Sequence, residues 1–270
     1  MPQEQDPNPE KLDLRKLNLA LDGLTEEPYK PRKVELTEGE LLNEIAFHEA
    51  SHLVFQALIC KHTDDFTRPR GIETYTNDEG IPSGQVIGFD SKIFNGGFPS
   101  TAKKLYDDLC QFYASNRLSA IYDLFSLMAG YCSYPIFVSP GESDFIPVAE
   151  HDTKEGVQLK AKYYNLENAP PSQFAVKDLY RVKHLLRCIG QEENYLSILK
   201  SVANDIMELM KRKSVNDSIR FVRNQLLKKE TGGKIEGDKL EEIWEKINDL
   251  TNKVDLLEII KKNYGYLDLE

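Results

Sequence analysis

From Glu38 to Lys61 the chain contains no proline and a single glycine, Gly39, and Thr37 followed three residues later by Glu40 is a capping-box pattern. The stretch predicts a helix of about six turns. Within it Leu41, Leu42, Ile45, Ala46, Phe47, Ala50, Leu53, Val54, Phe55, Ala57, Leu58 and Ile59 leave almost no polar face, so the helix is expected to run through the core rather than over it. Its middle nevertheless carries His48, Glu49 and His52. Burying three ionisable side chains without partners costs roughly several kcal/mol, and any fold this chain adopts has to compensate for it.

A metal supplies that compensation directly. Positions i and i+4 of a helix lie one above the other, so His48 and His52 can offer two imidazole nitrogens to one tetrahedral zinc ion. Glu49 points to one side of the pair, where it can serve as a base. That is the physical content of the H-E-x-x-H pattern: two ligands, an adjacent proton acceptor and a coordination position left open. The competing reading, two satisfied core histidines, leaves the buried charge without a partner. A hydrolytic zinc site usually needs a third protein ligand. It cannot follow the His-x-x-Gly-x-x-His extension, because Phe55 and Leu58 occupy those places.

The rest of the chain bounds the setting. A net charge of -10 and a pI near 5.2 argue against nucleic acid or an anionic lipid surface as partner, since phosphate binding relies on clustered Lys and Arg. Cys60, Cys110, Cys132 and Cys188 form no Cys-x-x-Cys pair and read as reduced, mostly buried thiols, with neither a disulfide framework nor a thiolate zinc site expected. The N-terminus has no basic start or apolar run of a secretion signal, so the expected compartment is the cytoplasm. Leu124 to Gly141 carries no charge but is interrupted by Gly130, Pro135 and Pro140, which favours a buried helix followed by a loop over a membrane span.

Three regions are expected: a polar, proline-rich flexible arm over residues 1–33, a core over 34–168, and a C-terminal helical subdomain over 169–270 packed on that core, entered after Pro170-Pro171. The Pro and Gly punctuation of Ile81 to Phe89 suggests strands or a hairpin beside the long helix. Helical spacing returns over about 101–129, 152–164, 174–189 and 192–229, and Thr231-Gly232-Gly233 ends the last run. Leu240, Ile243, Ile247, Leu250, Val254 and Leu257 alternate three and four spacings. That seam is short, so packing against its own domain is preferred over a homo-oligomer. His62 and His184 show no partner spacing. The fold class is therefore mainly α, as α+β, with a small β element.

Ala46-Phe47-His48-Glu49-Ala50-Ser51-His52 resembles the active-site helix of FtsH-type ATP-dependent zinc metalloproteases, whose usual form is Ala-Tyr-His-Glu-Ala-Gly-His. Ile81 to Gly88 is similar to that family's Pro-Arg-Gly-x-x-Leu-Gly hairpin, and Leu127-Met128-Ala129-Gly130 sits where its small-residue helix would follow. His151 to Ala161 looks like the family segment in which an Asp opens a helix and supplies the third zinc ligand. The resemblance thus implies Asp152 as that ligand, with Asp144, Glu150 and His151 as alternatives by ligand type. Leu226 to Thr231 resembles the family's Leu-Leu-x-x-Glu-Thr-Leu turn. The likeness covers about residues 37 to 245, without the family's ATPase module or membrane helices, and with an apparent insertion around residues 89–118.

What the resemblance implies is a helical zinc-peptidase domain. The expected activity is hydrolysis of peptide bonds in peptides or unfolded proteins, with Zn2+ as cofactor, Glu49 as catalytic base and a separate ATPase as partner. Glu49 would remove a proton from the attacking water and deliver it to the leaving amine. A binding or scaffold protein that keeps the peptidase fold without cleaving anything is the rival reading.

Overall fold

The long apolar helix is present as α1, Glu38–Cys60, in a computed structural model that describes residues 38–76, 82–88, 102–138 and 175–269. Ile45, Ala46, Leu53, Val54, Phe55 and Leu58 have no exposed surface, as a helix apolar on all sides requires. Helix α2, Ala102–Ser115, precedes α3, Arg117–Ser133, which ends in a π turn over Tyr134–Val138. α3 lies against α1, and from Ser119 to Ser133 nearly every residue is buried. Among the described residues Arg117–Val138 is long and apolar enough to cross a bilayer, but 76% of its most apolar 18-residue window is buried inside the protein, as a core helix would be.

A three-stranded antiparallel sheet covers one side of α1. Its strands are β1, Gly71–Thr76, β2, Pro82–Ile87, and β3, Lys234–Glu236, in the order β2-β1-β3. Ile72 pairs with Val86 on one side and Ile235 on the other, and Ile72 and Ile235 are both buried. Within the segment read from the sequence as strands or a hairpin, the described residues form one strand, β2, which pairs with β1, and β1 in turn pairs with β3 on its other side. β3 is three residues long. It holds because the backbone turns at Gly232 and Gly233, both at positive φ, and Gly233 accepts a hydrogen bond from the Thr74 amide at 2.8 Å.

Helices α4, Ala175–Cys188, α5, Tyr195–Lys211, α6, Lys213–Leu226, α7, Gly237–Leu250, and α8, Leu256–Tyr264, complete the described chain. α4 and α5 pack on α3, and α6 packs on α1. These later helices share one hydrophobic core with the earlier ones. The mainly helical α+β class read from the sequence is the class of the structure.

Some boundaries differ. The expected run over 192–229 is two helices, because Arg212 adopts an extended conformation between α5 and α6. The expected helix over 101–129 is also two, divided at Asn116. Neither break carries a proline or glycine, so nothing local announced it. In the seam of threes and fours, Leu240, Ile243, Ile247 and Val254 are buried within their own chain. The helix stops at Thr251, whose carbonyl and hydroxyl accept hydrogen bonds from Lys61 Nζ at 3.0 and 2.7 Å. The arm over 1–33, Thr37, the segment 152–164 and Pro170-Pro171 lie outside the described residues.

Phe125 on α3 is fully buried and meets the Tyr264 ring of α8 edge-on at 5.8 Å, so it ties the C-terminal helix to the core. Phe125→Ala is expected to lower unfolding free energy by about 3–5 kcal/mol. Tyr266→Ala, at a ring 69% exposed, should change it by less than about 0.5 kcal/mol. Urea titrations with excess chelator, so that no metal contributes, measure both.

Candidate metal centre

His48 and His52 stand one turn apart on α1, and the first turn of α4 brings Asp178 against both. His52 Nε2 lies 3.0 Å from His48 Nε2, and Asp178 Oδ2 lies 3.1 Å from His48 Nε2 and 3.2 Å from His52 Nε2. Ligands held about 2.0–2.1 Å from a tetrahedral zinc ion stand roughly 3.3 Å apart, so the three atoms already form a triangle of nearly the size such an ion requires. The rings meet edge to face, with centroids 4.6 Å apart. His48, Glu49, His52 and Asp178 are 4, 5, 8 and 8% exposed, so water does not satisfy them.

The hydrogen bonding around the triangle favours a cation at its centre. His52 Nδ1 is 2.7 Å from the Ser126 carbonyl and donates to it, which leaves the Nε2 lone pair directed at the triangle. Asp178 Oδ2 makes no well-directed hydrogen bond and faces the two Nε2 atoms instead. Two imidazole nitrogens and a carboxylate oxygen thus converge in a buried space, where a proton or a metal ion between them would offset the cost of burying them. Of the two, a metal ion serves all three at once.

Charge coupling ties the same groups together. Burial alone would push the His52 imidazolium down, but Asp178, then Glu49 and the Ser126 carbonyl, raise it to about 9. Burial pushes Asp178 up, yet the two imidazoles hold it well below the usual carboxylate range. The pair stores a proton that a metal ion would displace, so metal binding is expected to release protons. Glu49 is different. Burial raises its carboxyl, His48 and His52 draw it back down, and Asp178 pushes it up again, leaving it above the ordinary value.

Two glycines make room for this arrangement. A Cβ at Gly130 of α3 would lie 2.6 and 2.7 Å from His48 Cε1 and Nε2, and closer still to His52 Nε2. Ser126 stands one turn earlier, on the same face of α3. It binds His52 through its carbonyl, and its Oγ accepts from Gln56 Nε2 at 3.3 Å. On the other side, a Cβ at Gly84 of β2 would lie 2.6 Å from Glu49 Cγ and 2.9 Å from Glu49 Oε1. β2 therefore runs directly over the Glu49 carboxylate. Ser51, where the resembled motif has Gly, is fully buried on α1.

The structure thus brings together His48, Glu49 and His52, the residues singled out from the sequence. Asp152 lies outside the described residues, with Asp144, Glu150 and His151. Asp178 was not singled out, although, like the aspartate of the resembled segment, it lies in the first turn of a helix. The cysteines differ from expectation. Cys110 and Cys188 form a disulfide between α2 and α4, while Cys60 and Cys132 are not disulfide-bonded. The pairing joins residues 78 apart in sequence, a closeness only the packed helices create.

Comparison with protein-family models, with curated proteins and with solved structures finds no match.

His48→Ala and Asp178→Ala are each expected to purify without stoichiometric zinc, against about one ion per chain for the parent, as measured by plasma mass spectrometry. Parent-like zinc content in Asp178→Ala would place the third ligand elsewhere, and Asp152→Ala is the comparison that would then decide. Gly130→Ala should fold but bind zinc at least about tenfold more weakly in competition with a chromophoric chelator, because its methyl group enters the space of both imidazoles.

Proposed function

We propose that this chain is a zinc-dependent metallopeptidase in which His48, His52 and Asp178 hold the ion and Glu49 is the general base. The observation that carries the reading is the convergence of three ligand atoms, 3.0 to 3.2 Å apart, beside a buried and intact glutamate on the same helix. When bound, zinc supplies Lewis acidity that polarises a scissile carbonyl and acidifies an adjacent water. The chain's own contribution lies in Glu49 and the groups around it. A carboxylate lifted above its ordinary value by burial is a stronger base than a solvated one, and it can return the proton to a leaving amine.

A peptide is the substrate class that best fits the surroundings. Among the described residues β2 is an edge strand that passes over Glu49, and an edge strand can pair with an extended chain through backbone hydrogen bonds. Pairing of that kind needs an unfolded or flexible segment. The substrate would accordingly be a peptide or an unfolded protein, and a separate ATPase would be needed to present a folded one.

Glu49→Gln keeps size and shape while removing the proton acceptor. Zinc content and thermal unfolding should stay close to the parent, while hydrolysis of an unstructured fluorogenic peptide falls by a factor on the order of a hundred or more. Equal activity in the two proteins would end the catalytic assignment of Glu49. A zinc-loaded parent that cleaves nothing across a broad peptide library would favour a binding or scaffold role.

A further inference from the structure

A second cluster of ligand-type side chains lies where α2 meets the far end of α4, apart from the histidine pair of α1. His184 and Cys188 are one turn apart on α4, the same i, i+4 relation that His48 and His52 have on α1. Cys110 of α2 faces them. His184 Nε2 lies 3.4 Å from Cys188 Sγ and 3.8 Å from Cys110 Sγ, and the two sulfurs are bonded to each other. All three residues are half-buried.

The spacing is informative. In a tetrahedral zinc site with Zn–N near 2.05 Å and Zn–S near 2.3 Å, a nitrogen and a sulfur stand roughly 3.6 Å apart and two sulfurs about 3.8 Å. The imidazole nitrogen is therefore already at ligand distance from both sulfurs. Only the two sulfurs have to separate.

We propose that Cys110, His184 and Cys188 form a second metal site, specific for a thiolate-binding divalent cation such as Zn2+, that opens when the Cys110–Cys188 disulfide is reduced. The step is thiol–disulfide exchange with a small dithiol. Two electrons from the dithiol break the sulfur–sulfur bond, leaving two cysteine thiols and the reductant's own disulfide, and both thiol protons pass to solvent as the thiolates take up the cation. His184 is suited to ligation by position, since its Nε2 already stands beside both sulfurs. The two occupied states exclude each other: bonded sulfurs cannot both bind one ion. Each state also ties α2 to α4, the helix that carries Asp178, so the junction stays closed under oxidising conditions by a covalent bond and under reducing conditions by a metal.

Cobalt(II) separates this site from the one on α1, since only sulfur ligands give an intense near-ultraviolet thiolate-to-cobalt charge-transfer band, and His48, His52 and Asp178 offer none. The experiment uses the full chain, reduced with dithiothreitol and freed of it anaerobically, against the same protein left oxidised. The reduced parent should show the band and bind about one more cobalt per chain than the oxidised parent. Cys110→Ser and Cys188→Ser should lose the band, and His184→Ala, which keeps both thiols, should weaken cobalt binding at least about tenfold. The absence of the band from reduced parent would overturn the proposal. So would a band that survives unchanged in Cys188→Ser, which would assign the ligation to Cys60 or Cys132.

Discussion

Everything else in the structure follows from placing His48, Glu49 and His52 in the middle of a helix with no solvated face. Three ionisable groups at that position cost several kcal/mol unless they are partnered, and apart from the contact between the two histidines their partners lie on other elements. The compensation has to come from neighbours. α3 provides a backbone carbonyl at Ser126 that orients His52, and a glycine at 130 that lets the imidazoles sit against it. α4 provides Asp178, the negative charge that the imidazoles require. The sheet closes the remaining side over Glu49, at a residue without a side chain.

This arrangement makes packing and chemistry inseparable. α1, α3 and α4 are in contact because their apolar faces form one core, and the geometry of that core sets the separations among the three ligand atoms. Glu49 is held out of the triangle but within the same buried space. Asp178 is driven down by the imidazoles and Glu49 is raised by burial, a difference in environment that supports the proposed roles of ligand and base. The cluster at Cys110, His184 and Cys188 secures the other end of α4, so the helix that delivers Asp178 is fixed to its neighbours at both ends.

How much of this could be read from the sequence depended on the range of the interaction. The i, i+4 pair His48 and His52 is local, as is the apolar periodicity of α1, and both were legible. The buried character of α3 was legible too, from uncharged residues interrupted by small ones. β1 and β3 were not, because a three-residue strand at 234–236 exists only by pairing with residues 71–73. The division of α5 from α6 at Arg212 carries no proline or glycine and was invisible for the same reason. Asp178 lies 126 positions beyond His52, a distance that only the packing of the helices closes, and the family resemblance pointed to Asp152 instead. The Cys110–Cys188 pair was not legible from cysteine spacing, because its 78-residue separation closes only when α2 packs on α4.

The central claim is that three named atoms share one metal ion. An anomalous difference map at the zinc absorption edge, from crystals of the zinc-loaded full chain with its disulfide intact, tests it without reliance on activity. The account predicts a peak about 2.0–2.2 Å from His48 Nε2, His52 Nε2 and an Asp178 carboxylate oxygen. A map with no peak within bonding distance of both imidazoles, or a peak bound by the histidines with Asp178 turned away from it, would contradict the account.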